Sequence, residues 1–175
     1  LVGDGQWLTH ADPAGGARPL RLSDGPSGLR RERADGSTIP ATCFPPAATL
    51  AASWDPELLE EVGVALGEEA HRLGVDVLLA PGVNLKRTPL CGRNFEYLSE
   101  DPLLAGVLGA AYVRGVQSMG VAASVKHFAA NNQEHRRHSV SAEVDERSLR
   151  ELYLSAFERI VAEASPWTLM CAYNR

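Results

Sequence analysis

Apolar positions along this chain alternate between two periods. From Asp55 to about Leu73, the residues Leu58, Leu59, Val62, Leu66 and Leu73 fall on one helical face, with Glu60, Glu61, Glu68 and Arg72 mostly outside it. Asp55-Pro56 starts this helix well, with Asp as the cap and Pro at the first helical position. Asp101-Pro102 repeats the signal and predicts a second helix to about Met119, ended by Gly120. Asp145 caps a third, running to about Ala164 with Leu149, Leu152, Phe157 and Ile160 inward, and Ser165-Pro166 stops it. Between the helices lie short apolar runs that predict strands: residues 75–80, ended by Pro81-Gly82, then 121–125, which reads as buried, and 168–172. Residues 20–23 and 49–52 are weaker strand candidates.

Strand, helix and strand in repetition predict βαβ units and a parallel sheet. None of the five strand candidates is followed by GxGxxG, which argues against a dinucleotide-binding unit. Polar residues gather after several different strands instead: Asp24, Asn84, Lys126 with His127, and Tyr173. A site supplied by many strand ends points to a (β/α)8 barrel. The expected fold class is therefore α/β, a partial (β/α)8 TIM-type barrel of about five βα units, with the remainder expected beyond the C-terminus. Neither end of the chain resembles a natural terminus, so a piece of a longer protein is expected.

Composition narrows the function classes. The 175 residues are 45% hydrophobic and 22% charged, ordinary for a globular domain. The net charge of -5, with Arg30-Arg31 and Arg136-Arg137 as the local basic pairs, gives no phosphate-tracking stripe for nucleic acid. No apolar stretch approaches the roughly 20 residues of a membrane helix. Cys43, Cys91 and Cys171 are odd in number and far apart, unlike a disulfide framework or a zinc finger. The compartment stays open between secreted and cytoplasmic.

Candidate chemistry sits in three segments. Ser23-Asp24-Gly25-Pro26-Ser27-Gly28-Leu29-Arg30 combines a carboxylate with a Gly/Pro turn, which a plain surface turn also explains. Leu90-Cys91-Gly92-Arg93-Asn94-Phe95-Glu96-Tyr97 places Arg and Glu on a loop, where a pair that pins the loop is the simpler account. The third runs from Lys126-His127-Phe128 to Glu134. A buried strand should not end in a cation, an imidazole and two amides unless it opens onto a polar pocket. Asn131, Asn132, Gln133 and Glu134 could instead cap the next element. Neighbouring strand residues point to opposite faces. If Lys126 and His127 serve one ligand, the backbone at 126–128 must leave regular strand geometry, for instance through a cis peptide.

With MCAYN at 170–174 added, four motifs stand in order: DGPSGLR at 24–30, PLCGRNFEYLSEDP at 89–102 and KHFAANNQEHRR at 126–137 precede it. Together they resemble glycoside hydrolase family 3, in its β-glucosidase branch. The resemblance implies that residues 1–175 are the N-terminal portion of a catalytic (β/α)8 domain, followed in the parent polypeptide by an α/β-sandwich domain. It implies retaining hydrolysis of β-glycosides, releasing non-reducing terminal β-D-glucose from an oligosaccharide or a glycosylated small molecule, with no cofactor and no metal. It places Asp24, Arg93, Lys126 and His127 around the sugar, with Arg30, Arg137, Met170 and Tyr173 as further subsite residues. A sugar offers hydroxyls that both donate and accept, which a carboxylate and several cations match with charge-assisted hydrogen bonds.

A retaining glycosidase needs two carboxylates about 5 Å apart. The resemblance implies an Asp nucleophile in an SDW-like motif on a later strand, and that motif is absent here, as is an assignable acid/base Glu. No residue of this chain is thus expected to be the nucleophile or the acid/base. Glu96 and Glu134 are expected to hold Arg93, Arg137 or Lys126 in place. The Ala129-Ala130-Asn131-Asn132 that follows Phe128 departs from the KHFPGHG-like loop of the N-acetylglucosamine-removing branch. β-Xylosidase or α-arabinofuranosidase activity, and a non-catalytic carbohydrate-binding barrel, remain alternatives. A metal site on His127, Glu134, His135 and His138 is the weakest reading, because H-x-x-H occurs without HExxH.

Overall fold

A computed structural model describes residues 3–33 and 35–175. In chain order the elements are β1 (Leu22–Ser23), α1 (Ala47–Ala51), α2 (Pro56–Arg72), β2 (Val77–Leu78), a 3-10 turn (Asn94–Glu96), α3 (Pro102–Ser118), β3 (Ala122–Phe128), α4 (Glu146–Ser148), a π turn (Leu149–Tyr153), α5 (Ser155–Ala164) and β4 (Thr168–Cys171). The sheet runs β1-β2-β3-β4 with every pairing parallel. Sequence order equals spatial order, as in an arc of a (β/α)8 barrel.

Both predicted Asp-Pro helix starts form as expected. Asp55 accepts hydrogen bonds from the backbone N–H groups of Glu57 and Leu58 at 3.0 and 3.2 Å, and Asp101 from that of Leu104 at 2.7 Å. Each satisfies donors that the first helical turn leaves without partners. Asp145 caps α4 through the Ser148 N–H at 3.0 Å. Leu59, Leu66, Leu108, Val113, Val116 and Ile160 from α2, α3 and α5 share one apolar cluster with Leu78, Ala123 and Val125 of the sheet. Glycines let these helices approach closely. A Cβ on Gly115 would lie 2.2 Å from the Glu60 carbonyl oxygen, and one on Gly63 2.5 Å from that of Tyr112.

Three expectations need correction. Residues 49–52 are not a strand; α1 covers 47–51, because Ala47, Leu50 and Ala51 bury at helical spacing behind Pro46. Among the described residues four strands therefore form, not five. The third helix is not continuous either. A π turn over 149–153 widens it, and Leu152 is left exposed while Phe157 and Ile160 stay inward. Finally, the strand expected to stop at Val125 continues to Phe128, so Lys126 and His127 lie inside β3.

Candidate sugar-binding site

The backbone between Lys126 and Ala129 is irregular. The Lys126–His127 and Phe128–Ala129 peptides are cis, and the β3–β4 register shifts between Lys126 and Phe128. The departure from strand geometry expected at 126–128 is present. Asn84, just after β2, braces it from the side: its Nδ2 donates to the His127 carbonyl at 2.9 Å, and its Oδ1 accepts from the His127 N–H at 2.8 Å. These bonds replace ladder pairing the irregular strand has lost.

Both side chains reach the loop that carries Arg93, Glu96 and Tyr97. Lys126 Nζ lies 3.5 Å from Glu96 Oε2 and 3.8 Å from Asp24 Oδ1. Both distances exceed a good hydrogen bond, so the ammonium keeps donors for a third partner. The Arg93 Nε–H donates to Glu96 Oε1. Glu96 is buried and thus carries two cations at once, one on each carboxylate oxygen. Asp24 is the open member, with its side chain 40% exposed against 3% for Lys126. Burial pushes the Lys126 pKa down, opposed by Glu96 and Asp24. Burial also works against the Arg93 guanidinium, yet its contact with Glu96 leaves its pKa raised.

His127 Nδ1 lies 3.1 Å from the Tyr97 hydroxyl. Burial, then Arg93, Lys126 and Arg137, press the His127 pKa down to about 3. The ring is therefore neutral at ordinary pH. From Tyr97 a polar chain continues outward. Asn131 Nδ2 donates to the Tyr97 oxygen at 2.8 Å and to Glu134 Oε1 at 3.0 Å, and Arg137 Nη1 donates to Glu134 Oε2 at 3.1 Å. The Arg137 guanidinium then lies 5.0 Å from the centre of the Tyr173 ring, a cation–π contact.

Of the residues singled out in the sequence, Asp24, Arg93, Lys126 and His127 converge through Glu96 and Tyr97, and Arg137 and Tyr173 join through Glu134 and Asn131. Met170 sits beside Lys126 in the β3–β4 register. Arg30 stands apart. Its backbone N–H donates to the Asp24 carbonyl at 3.0 Å, but its side chain is exposed and lines a separate cavity with Trp7, Arg21 and Glu32. The metal reading gains no geometry. The His127 Nδ1 faces Tyr97, the His138 ring packs on Tyr173, and among the described residues no group of three ligating side chains converges.

Asn84 is among the strand-end polar residues that the sequence singles out, and Tyr97 and Asn131 belong to the quoted motifs without a role assigned to them there; which partner each meets depends on distances that only the folded chain sets. The set offers one open carboxylate acceptor, Asp24, beside donors from Arg93, Lys126 and His127. That is complementary to a ring of adjacent hydroxyls.

The model of the glycosyl hydrolase family 3 N terminal domain matches residues 29–175. The chain is 55% identical over 175 residues to thermostable beta-glucosidase B of Acetivibrio thermocellus, covering 97% of this chain and 23% of that protein. It is 51% identical over 180 residues to an exo-alpha-(1->6)-L-arabinopyranosidase of Bifidobacterium longum, covering 99% and 24%. Beta-glucosidase 3B from Thermotoga neapolitana, solved in complex with alpha-D-glucose, superposes with a TM-score of 0.91 at 53% identity, over 96% of this chain and 24% of that one. The chain spans about a quarter of the length of these relatives.

Proposed function

This chain belongs to glycosyl hydrolase family 3, and from that membership we propose that it supplies the glycone-binding half of a retaining β-glucosidase. The observation that carries the reading is the convergence of side chains from separate segments: Arg93 and Lys126 share Glu96, Lys126 also faces Asp24, and His127 is held beside them by Tyr97. Asp24 accepts from two neighbouring hydroxyls of a terminal β-D-glucose. Arg93, Lys126 and His127 donate to oxygens of the same ring. A sugar lacking one of these hydroxyls leaves a buried charge or dipole without its partner, so selectivity follows from the cost of the vacancy.

The segment binds and orients; it does not cleave. Glu96 is held by Arg93 and Lys126, and Glu134 by Asn131 and Arg137, so both carboxylates position other groups. The nucleophile and the acid/base come from the remainder of the parent polypeptide, with its α/β-sandwich domain. An α-L-arabinopyranoside is the second glycone to consider, because a relative 51% identical to this chain carries that activity in its name.

The test compares the isolated segment with the full-length protein on aryl β-glucosides and aryl α-L-arabinopyranosides. The full-length protein is expected to turn over at least one of them and the segment neither; turnover by the segment sinks this reading. In the full-length protein Asp24→Ala is expected to lower kcat/KM by about a hundredfold or more, the scale of losing two hydrogen bonds to a charged group.

A further inference from the structure

The hydroxyl of Tyr97 is enclosed, since the residue is 0% exposed, and it has two neighbours, Asn131 and His127. The Glu134 carboxylate sets the way round of the Asn131 amide, at the cost of an Oδ1 that is buried without a hydrogen-bond partner. Its Nδ2 serves both the Tyr97 oxygen and the Glu134 carboxylate, and turning the amide over would set its oxygen against that carboxylate, acceptor facing acceptor. Glu134 is fixed in turn by Arg137. Tyr97 therefore receives a hydrogen bond from Asn131, and its own proton has His127 Nδ1 as its acceptor, at 3.1 Å. The other tautomer would aim two N–H groups at one phenol oxygen and leave the phenol proton buried without an acceptor.

We propose that Tyr97, oriented by Asn131, Glu134 and Arg137, is a positioning residue that fixes His127 as the neutral tautomer carrying its proton on Nε2, so that His127 is an obligate hydrogen-bond donor to one oxygen of the bound sugar. The proposal rests on the sugar-site reading above and deepens it. A neutral ring with a committed Nδ1 has one polar group left, the Nε2–H, and can only give a proton to a hydrogen bond there. The low pKa of His127 agrees, because an imidazolium would meet Arg93, Lys126 and Arg137. Recognition then divides cleanly, with Asp24 accepting and Arg93, Lys126 and His127 donating.

The test is 15N spectroscopy of the full-length protein labelled at histidine, with His127→Gln used to assign the His127 signals. A protonated Nε2 and an unprotonated Nδ1 are expected in the wild type. Tyr97→Phe is expected to mix the two tautomers and to lower kcat/KM on an aryl β-glucoside by about tenfold, the size of one hydrogen bond. A purely packing role for Tyr97 would leave the tautomer as it was. A wild-type Nδ1–H signal, or an unchanged tautomer in Tyr97→Phe, overturns the proposal. If Tyr97→Phe does not fold, the wild-type spectrum and Asn131→Ala, expected to mix the tautomers as well, decide the matter. Titration with glucose separates the two claims. His127 signals that move identify the sugar site, whichever tautomer is present. Signals that stay still while the Nε2–H tautomer is observed overturn the sugar-site reading and leave the tautomer assignment confirmed.

Discussion

Glu96 is the buried carboxylate of the site, with Asp24 as the open one. Arg93 takes one oxygen and Lys126 faces the other, all with little access to water. Glu96→Gln keeps the shape and removes the charge, leaving Arg93 without its carboxylate and Lys126 with only the part-exposed Asp24 at 3.8 Å. We expect it to cost about 3–5 kcal/mol of stability in denaturant unfolding, as for other buried pairs that lose one member. A variant as stable as the wild type would mean that water already screens the pair. His127 gives a second expectation. Its folded pKa, about 3, lies below the ordinary value near 6.5, so the unfolded chain binds the proton more tightly. Its contribution to stability is fully present above about pH 6.5 and is lost as pH falls toward 3. Between those limits the slope should approach about 1.4 kcal/mol per pH unit, and His127→Gln should remove that component. Equal slopes in the two proteins would show that His127 does not titrate in this window.

At the scale of elements, the helix pair α2–α3 is built on missing side chains. Gly63 and Gly115 place each backbone against the other helix, leaving no room for a methyl group. Alanine is better than glycine in a helix by about 1 kcal/mol, so propensity alone predicts that Gly115→Ala stabilises. Packing predicts the reverse, because the Cβ would overlap the Glu60 carbonyl and the helices must separate. We expect packing to win, with a net loss of about 1–3 kcal/mol and a lower thermal midpoint. A raised midpoint would mean that the helices slide apart at little cost. Elements also differ in how openly they announce themselves. The Asp-Pro helix starts could be read directly, since a cap and its first turn lie within four residues. The AATLA run of α1 could not, because five residues carry too little periodicity to separate helix from strand. The π turn in the third helix was equally hidden, and with it the outward turn of Leu152.

Across the whole molecule, one flank is apolar and open. Phe128, Leu154, Val161 and Leu169 line a depression beside β4, which among the described residues pairs with β3 alone. Surfaces of this kind on a soluble protein are normally covered. We expect the isolated segment to bind an apolar dye or to self-associate, and the full-length protein to do neither. A segment that stays monomeric and leaves the dye dark would show that this face tolerates water.

Sequence by itself determined the local signals: the helix starts, the apolar runs that become strands, the parallel α/β class and the residue types proposed for a sugar site, Asp24, Arg93, Lys126 and His127 among them. Each is carried by neighbours within a turn or a strand, or by a motif of a few residues, so no long-range distance is needed to see it. The tertiary structure decided what those residues do to one another. Glu96 serves two cations because the 94–96 turn lies against β3, and Asn84 braces His127 across 43 positions of chain. Tyr97 meets His127 on one side and Asn131 on the other for the same reason. Hydrogen bonds act over about 3 Å, and only the folded chain brings such distant positions within that reach.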